Sequence, residues 1–232
     1  MRRAAPALLI VAALLAAAPA RAGEGVYLTI DGGYGFWNKD TLKQKLPSQV
    51  GAENTRLLLD LQMPDGALFA LRMGYNIGGH VAFEGSLGVR PWDLLSETRG
   101  GLGLVGLATR WFPLQGLVRP NRQVDFSLVA GINYFLSGGS GEKDPASSGT
   151  LPNTGRGMDG MAFEFGGTFE LYPARFVSIG ITPRYTVLHP LRYFTDFNKR
   201  DQGGQIPLTG SVGGSMMSVS LSVTFHFEPQ PD

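Results

Sequence analysis

Apolar and polar residues alternate one by one along the last part of the chain. Between Met217 and Phe227, six large apolar residues are separated by serine, threonine and histidine. A period of two is typical of a β-strand with one apolar and one polar face. The run also matches the roughly 9 to 11 residues of a strand that crosses a membrane at a tilt. The pattern therefore predicts a two-faced strand long enough to span a bilayer.

Earlier segments repeat this alternation and indicate seven more strands, at residues 26–37, 67–77, 81–91, 102–112, 124–136, 161–172 and 177–188. Three of the connections are short, at 76–80, 113–123 and 173–176. The other connections are mostly long and polar, at 38–66, 92–101, 137–159 and 189–214. Because short and long connections alternate, the sequence predicts an all-β fold, an eight-stranded antiparallel up-and-down transmembrane β-barrel.

The size of the apolar face decides between a membrane barrel and a soluble one. An eight-stranded barrel has an interior just wide enough to be filled by side chains. Roughly four or five large apolar residues per strand cannot all fit there, whereas the glycine, serine and threonine of the opposite face can. An apolar exterior of this size needs lipid around it. A closed barrel also leaves no strand edge unpaired in hydrocarbon.

Aromatic residues gather near the strand ends and predict two interfacial girdles. The girdle residues are Tyr34, Phe36, Trp37, Tyr75, Trp92, Trp111, Tyr134, Tyr185, Phe225 and Phe227. The alternative is that the aromatic residues occur here only because they favour β-strands in general, which would not concentrate them at the strand ends.

The N-terminus carries the pattern of a secretory signal peptide. Two arginines precede an apolar core of about a dozen residues, and Ala20 and Ala22 are the small residues of a cleavage site. We expect a cleaved signal at residues 1–22 and one barrel domain at 23–232. Removing residues 1–22 changes the formal charge from +1 to −2, because three arginines and no acids are lost. Nothing in this balance suggests nucleic acid binding, and without cysteine there is no disulfide or thiolate metal site.

Charged residues fall on the polar face of the predicted strands. They are Asp31, Arg72, Glu84, Arg90, Arg110, Asp125, Glu164, Glu170 and Arg184. Isolated charges in a narrow interior are costly, so we expect them to pair. One interpretation is a salt-bridged plug that stabilises the barrel. The alternative is a polar pathway for small solutes.

Three segments resemble the small outer-membrane β-barrel family that includes the OmpA transmembrane domain, OmpX and OmpW. They are the opening VYLTIDGGYG at 26–35, the hairpin from MGYNI at 73–77 to VAFEG at 81–85, and the ending VTFHF at 223–227. The resemblance implies a bacterial outer-membrane location. It also implies that Val223, Phe225 and Phe227 form the signal read by the barrel-insertion machinery. OmpA-like and OmpX-like relatives imply a filled interior, and OmpW-like ones imply passage of small hydrophobic molecules.

Candidate chemistry is sparse. His80, His189 and His226 are far apart, show no spacing of a catalytic triad and do not make a metal ligand set. We therefore predict no enzyme activity, no catalytic residue, no cofactor and no metal. The expected partners are outer-membrane lipid, the insertion machinery and an envelope protein bound through the loops.

The first long connection contains an unusually apolar segment, residues 57–61. It could extend the second strand, form a short helix over the barrel mouth, contact a partner or add further strands. The predicted function is an envelope structural or partner-interaction role through the extracellular loops, with a narrow channel for small or hydrophobic solutes as the alternative.

Overall fold

The computed structural model describes residues 25–52, 65–91, 99–113, 124–140, 156–174, 176–194, 205–208 and 213–227. The expected signal peptide, Trp92, the apolar segment 57–61 and the tail 228–232 lie outside these ranges. The strands are β1 (Gly25–Asn38), β2 (Gly66–Ile77), β3 (Val81–Pro91), β4 (Arg99–Trp111), β5 (Val124–Ser140), β6 (Arg156–Ala174), β7 (Val177–Phe194), β8 (Gln205–Pro207) and β9 (Gly214–Phe227). Two short helices, α1 (Asp40–Lys45) and α2 (Pro47–Val50), follow β1.

Eight long strands close into a barrel. Strands β1 to β7 pair antiparallel in chain order, and β9 pairs with both β7 and β1. At the closing seam, Val26 lies opposite Phe227 and Thr29 lies opposite Thr224. The predicted fold class, strand number and up-and-down order are confirmed. Strand β8 was not predicted; within the described ranges it pairs with the end of β7, where Tyr193 lies opposite Ile206.

The two faces of the strands differ as the alternation predicts. Apolar side chains on the outer face are widely exposed, and Leu107 reaches 70%. Small polar side chains on the inner face are buried, and Thr168 and Ser178 are fully enclosed. The exterior is therefore an apolar belt that only lipid can cover, with a polar lumen behind it.

Strands β5, β6 and β7 extend well past the predicted strand ends, with 17, 19 and 18 residues. The predicted loops at 137–159 and 189–214 are therefore partly wrong, because 137–140, 156–159 and 189–194 are strand. The alternation of apolar and polar residues is needed only where one face of the strand meets lipid. The hydrogen bonds between strands do not need that alternation, so these strands continue beyond the alternating segments. One side of the barrel is consequently taller than the other.

The strand ends on either side of the short connections lie together at one end of the barrel, which we call the turn end. The turn from Ile77 to His80 contains Gly78 and Gly79, whose φ angles are 60° and 74°. Positive φ at two successive residues suits a tight hairpin and is nearly free of strain only for glycine. The His80 N–H closes the turn on the Ile77 carbonyl at 3.3 Å.

The opposite end, which we call the loop end, carries α1 and α2. Pro47 lies in the first turn of α2, where its missing N–H costs nothing. These helices were not predicted. Among the described residues, no helix is long and apolar enough to cross a membrane.

Candidate functional site

The inner face of the barrel holds the predicted lumen charges. Eight of the nine are buried, and the side chain of Glu164 is 17% exposed. The structure brings most of them together in three groups: Asp31 with Arg72, Glu164 with Arg184, and Arg110 with both Glu84 and Glu170. Asp125 accepts a hydrogen bond from the N–H of Phe126 at 2.7 Å.

Arg110 bridges two glutamates near the turn end. Its guanidinium lies 2.8 Å from Glu84 Oε1 and 3.0 Å from Glu170 Oε1. The Tyr27 hydroxyl donates to Glu84 at 2.8 Å, and the Tyr172 hydroxyl donates to Glu170 at 3.2 Å. These five residues, which we call the ionic seal, come from β1, β3, β4 and β6 and cross the lumen.

Aromatic rings pack around the ionic seal. The Arg110 guanidinium carbon lies 5.6 Å from the centre of the Tyr27 ring and 6.0 Å from that of Phe112. Tyr27 lies opposite Gly74 on β2. A Cβ at position 74 would come within 2.3 Å of the Tyr27 ring, so the ring occupies space that only glycine leaves open.

Two further ion pairs lie on the lumen wall. Arg72 contacts Asp31 at 2.9 Å, and Arg184 pairs with Glu164. The sequence allows Glu170 to pair with Arg184, because the two residues lie on neighbouring predicted strands. In the structure, Glu170 instead makes its ion pair with Arg110. The partners differ because the curvature of the barrel brings β4 and β6 side chains together across the lumen.

Arg90 lies closer to the loop end, where it links β3 to β1 and β9 at the mouth of the barrel. It donates to the Gly35 carbonyl and to Met216 Sδ, both at 2.8 Å. Its guanidinium carbon lies 5.1 Å from the centre of the Trp37 ring. Trp37 therefore faces the barrel mouth, and its predicted place in the lipid-facing girdle is wrong. Alternation explains the difference, since its neighbour Phe36 takes the outward position.

The remaining girdle residues within the described ranges point outward, each at least 37% exposed: Tyr34, Phe36, Tyr75, Trp111, Tyr134, Tyr185, Phe225 and Phe227. Val223 of the predicted insertion signal also faces outward on β9. Tyr134 has a polar partner as well, since its hydroxyl donates to Asp159, which also pairs with Arg192.

An apolar cluster closes the loop end. Leu42 and Leu46 of α1 and its C-cap, together with Val50 of α2, are buried. They belong to one cluster with strand residues, which we call the apolar cap: Leu102, Phe135, Met158, Ala162, Leu188 and Tyr193. Sequence analysis missed this cap. Its signal is the spacing of four between Leu42, Leu46 and Val50, which places all three on one helical face.

The histidines form no recognisable reaction centre. His226 Nε2 lies 3.1 Å from Ser178 Oγ, and Ser178 is fully buried. Among the described residues, no group of three or more acidic, histidine or cysteine side chains is arranged to hold a metal ion.

Comparisons with known proteins support the architecture. No protein-family profile and no curated protein sequence matches the chain. Among solved structures, Neisserial surface protein A is similar over 88% of this chain and 99% of that chain, with 11% identity and a TM-score of 0.54.

Two other similar structures have TM-scores below 0.5. They are a major outer membrane protein from Thermus thermophilus (0.49, 11% identity, 87% of this chain and 99% of that one) and Ail from Yersinia pestis (0.44, 12%, 88% and 99%). The chain has the fold of a small outer-membrane β-barrel. That fold and the apolar belt place it in the bacterial outer membrane.

Proposed function

We propose that this protein is a closed, non-enzymatic scaffold of the outer membrane that acts through its loop end. The observation that carries the proposal is the ionic seal, in which Arg110 joins Glu84 and Glu170 across the lumen. A lumen of eight strands has little spare width, so a bridge of this kind leaves no continuous path for solutes.

The apolar cap supports the same function from the other end. Leu42 and Leu46 are fully buried over the barrel mouth, so a hydrophobic solute would have to displace α1 before it could enter. A channel would have to open both closures, which rely on different interactions, before a solute could pass. A lumen closed at both ends instead suits a rigid scaffold that supports the loops.

The loop end carries the surface through which such a scaffold would act. Strands β5, β6 and β7 extend furthest there, and β8 broadens the end of β7. We infer that this tall side presents the loops to an envelope partner. Orientation follows from connection length, since longer loops face outward in outer-membrane barrels. We also retain Val223, Phe225 and Phe227 as the proposed signal for the insertion machinery.

Conductance in a planar bilayer tests the proposal. We expect no unit conductance from the parent protein. A variant that opens both closures, with Arg110, Glu84, Glu170, Leu42 and Leu46 all replaced by serine, is expected to conduct. This variant shows that the assay detects an open lumen, and it removes both acids together with their cation so that no charge is left unpaired.

The matched control carries Asp159→Ser and Arg192→Ser, which remove an ion pair from the rim and leave both closures in place. This control is expected to stay silent. Stable unit conductance from the parent would refute the closed scaffold and favour the alternative function, a narrow channel for small or hydrophobic solutes.

A further inference from the structure

The hydrogen-bonded ladder between β6 and β7 is interrupted inside the apolar belt. Gly166 pairs with Arg184 and Phe169 pairs with Ile181, but the two positions of each described strand that lie between these pairs are not joined. The register is the same on both sides of this gap, so the interruption is not a bulge. At the same positions, the ladders between β5 and β6 and between β7 and β9 are continuous.

Pro183 explains the gap. A Cβ on Gly166 would lie 2.5 Å from the Pro183 carbonyl oxygen, so that carbonyl points toward β6. The nitrogen of a strand residue points to the same side as its carbonyl, and the nitrogen of proline carries no hydrogen. The register places Gly167 opposite Pro183. The carbonyl of Gly167 therefore receives no hydrogen bond from Pro183.

The missing hydrogen bond lies in the part of the wall that faces lipid. Pro183 is exposed on the outer face between Ile181 and Tyr185, which are themselves 52% and 45% exposed. Hydrocarbon offers no water to replace a missing donor. Proline is normally confined to the edges and bulges of a sheet, whereas β7 has a neighbouring strand on each side. The wall is therefore weaker between β6 and β7 than between the adjacent strand pairs.

Two side-chain contacts join β6 to β7 on the lumen side of the gap, and we call them the cross-strand contacts. The Thr182 hydroxyl donates to the Thr168 hydroxyl at 3.2 Å, and both residues are buried. Arg184 of β7 pairs with Glu164 of β6 immediately beside them. These side chains connect the two strands where the backbone does not.

We propose that the barrel wall opens locally between β6 and β7, at Gly167 and Pro183, and that the cross-strand contacts keep this opening closed. The adjacent strand pairs stay joined while it opens, because their ladders are continuous. This conformational device goes beyond the closed scaffold, since it involves neither the ionic seal nor the apolar cap.

Amide hydrogen exchange of the whole protein, folded in detergent micelles, tests the opening. The probe amides are those of Ile181 and Tyr185, which flank the gap on β7 and lie opposite β6. The reference is the amide of Val129, which belongs to the continuous ladder between β5 and β6. We expect the probe amides to exchange at least about fivefold faster than the reference, which is the factor that one hydrogen bond contributes.

Pro183→Val restores the missing N–H and should slow exchange of both probe amides about fivefold. Pro190→Val is the matched control, because it also removes a proline from β7 and so changes the unfolded chain in the same way. A Cβ on Gly160 would lie 2.2 Å from the His189 carbonyl oxygen, so His189 faces β6 and the nitrogen of Pro190 points away from it. The control should leave both probe amides unchanged.

Thr182→Val removes one cross-strand contact with little change of shape, and it should speed exchange of both probe amides about fivefold. Thr224→Val is its control. It removes the hydroxyl contact of 2.9 Å between Thr29 and Thr224, which lies in the continuous ladder between β1 and β9. Exchange of the probe amides should stay as in the parent.

Three results would overturn the proposal. Probe amides that exchange as slowly as Val129 in the folded parent would show that the wall does not open there. Equal slowing in Pro183→Val and Pro190→Val would assign the effect to the unfolded chain. Equal acceleration in Thr182→Val and Thr224→Val would mean that the contact at the gap has no special part. If Pro183→Val does not fold, the parent and the threonine variants still decide.

Discussion

The two ends of the lumen are closed by opposite kinds of interaction. At the turn end, strand side chains form the ionic seal, whose five residues are joined to one another by ion pairs and hydroxyl hydrogen bonds. At the loop end, a connection folds back and buries leucine and valine against strand side chains. The ionic seal consists of side chains on the barrel strands, whereas the apolar cap is formed by a connection that packs onto the strands. Loss of the ionic seal should therefore destabilise the whole barrel, and the apolar cap should be able to unfold while the barrel stays folded.

The largest effect is expected from Arg110→Ala. It leaves Glu84 and Glu170 buried without their cation, and breaking a buried pair in this way costs about 3 to 5 kcal/mol. We expect that loss in the free energy of unfolding, measured by urea titration in lipid vesicles.

Arg192→Ala is the control for Arg110→Ala, because Arg192 is half-exposed and should change stability little. Adding Glu84→Gln and Glu170→Gln to Arg110→Ala should recover part of the stability. Equal losses in the Arg110 and Arg192 variants would mean that the ionic seal contributes nothing to the barrel.

Leu46→Ala should have a smaller and local effect. Truncating a fully buried leucine costs about 2 to 5 kcal/mol, and here that cost should fall on the closing of the cap rather than on the barrel. Hydrogen exchange of the Leu46 and Val50 amides, which donate to Leu42 and Leu46 carbonyls, is expected to speed up. The urea midpoint of the barrel should stay nearly constant.

Gln44→Ala, on the exposed side of α1, is the control and should leave that exchange unchanged. If Leu46→Ala shifted the urea midpoint as much as Arg110→Ala does, the cap would be part of the barrel wall, and the distinction between the two ends would be lost.

Gly74→Ala tests the packing beneath the ionic seal and should have the smallest effect. The new methyl group would meet the Tyr27 ring at 2.3 Å. Overpacking of this kind typically costs about 1 to 3 kcal/mol, which we expect in the urea titration. Gly66→Ala in the same strand meets nothing within 4 Å and should be neutral. Comparable losses at both positions would indicate a general intolerance of β2 to alanine rather than a specific contact with Tyr27.

The sequence predicts the barrel well because lipid and lumen impose opposite demands on successive residues. Leu221 and Ser222 could exchange faces only if the whole strand slipped by one position. The inward phase of Arg110 and Glu170 follows from the same rule.

The partners of the lumen charges could not be predicted in this way. Whether Glu170 meets Arg110 or Arg184 depends on the tilt and stagger of strands around the barrel, which alternation does not encode. The cap escaped notice for another reason. Its three apolar residues fall in a short, otherwise polar stretch, and only their burial against β4 to β7 makes them significant.

The closing seam between β1 and β9 has a consequence for the order of folding. Asp31 and Ser222 pair across nearly the whole chain, and such distant contacts are slow to form because a long loop must first be closed. Tyr27, which completes the ionic seal, lies on β1 at this seam. Its contact with the His226 ring on β9, at 6.2 Å between ring centroids, should therefore appear among the last native contacts, after the hairpins of the C-terminal half. A spectroscopic probe that follows Tyr27 during refolding would therefore measure the rate at which β1 pairs with β9 and closes the barrel.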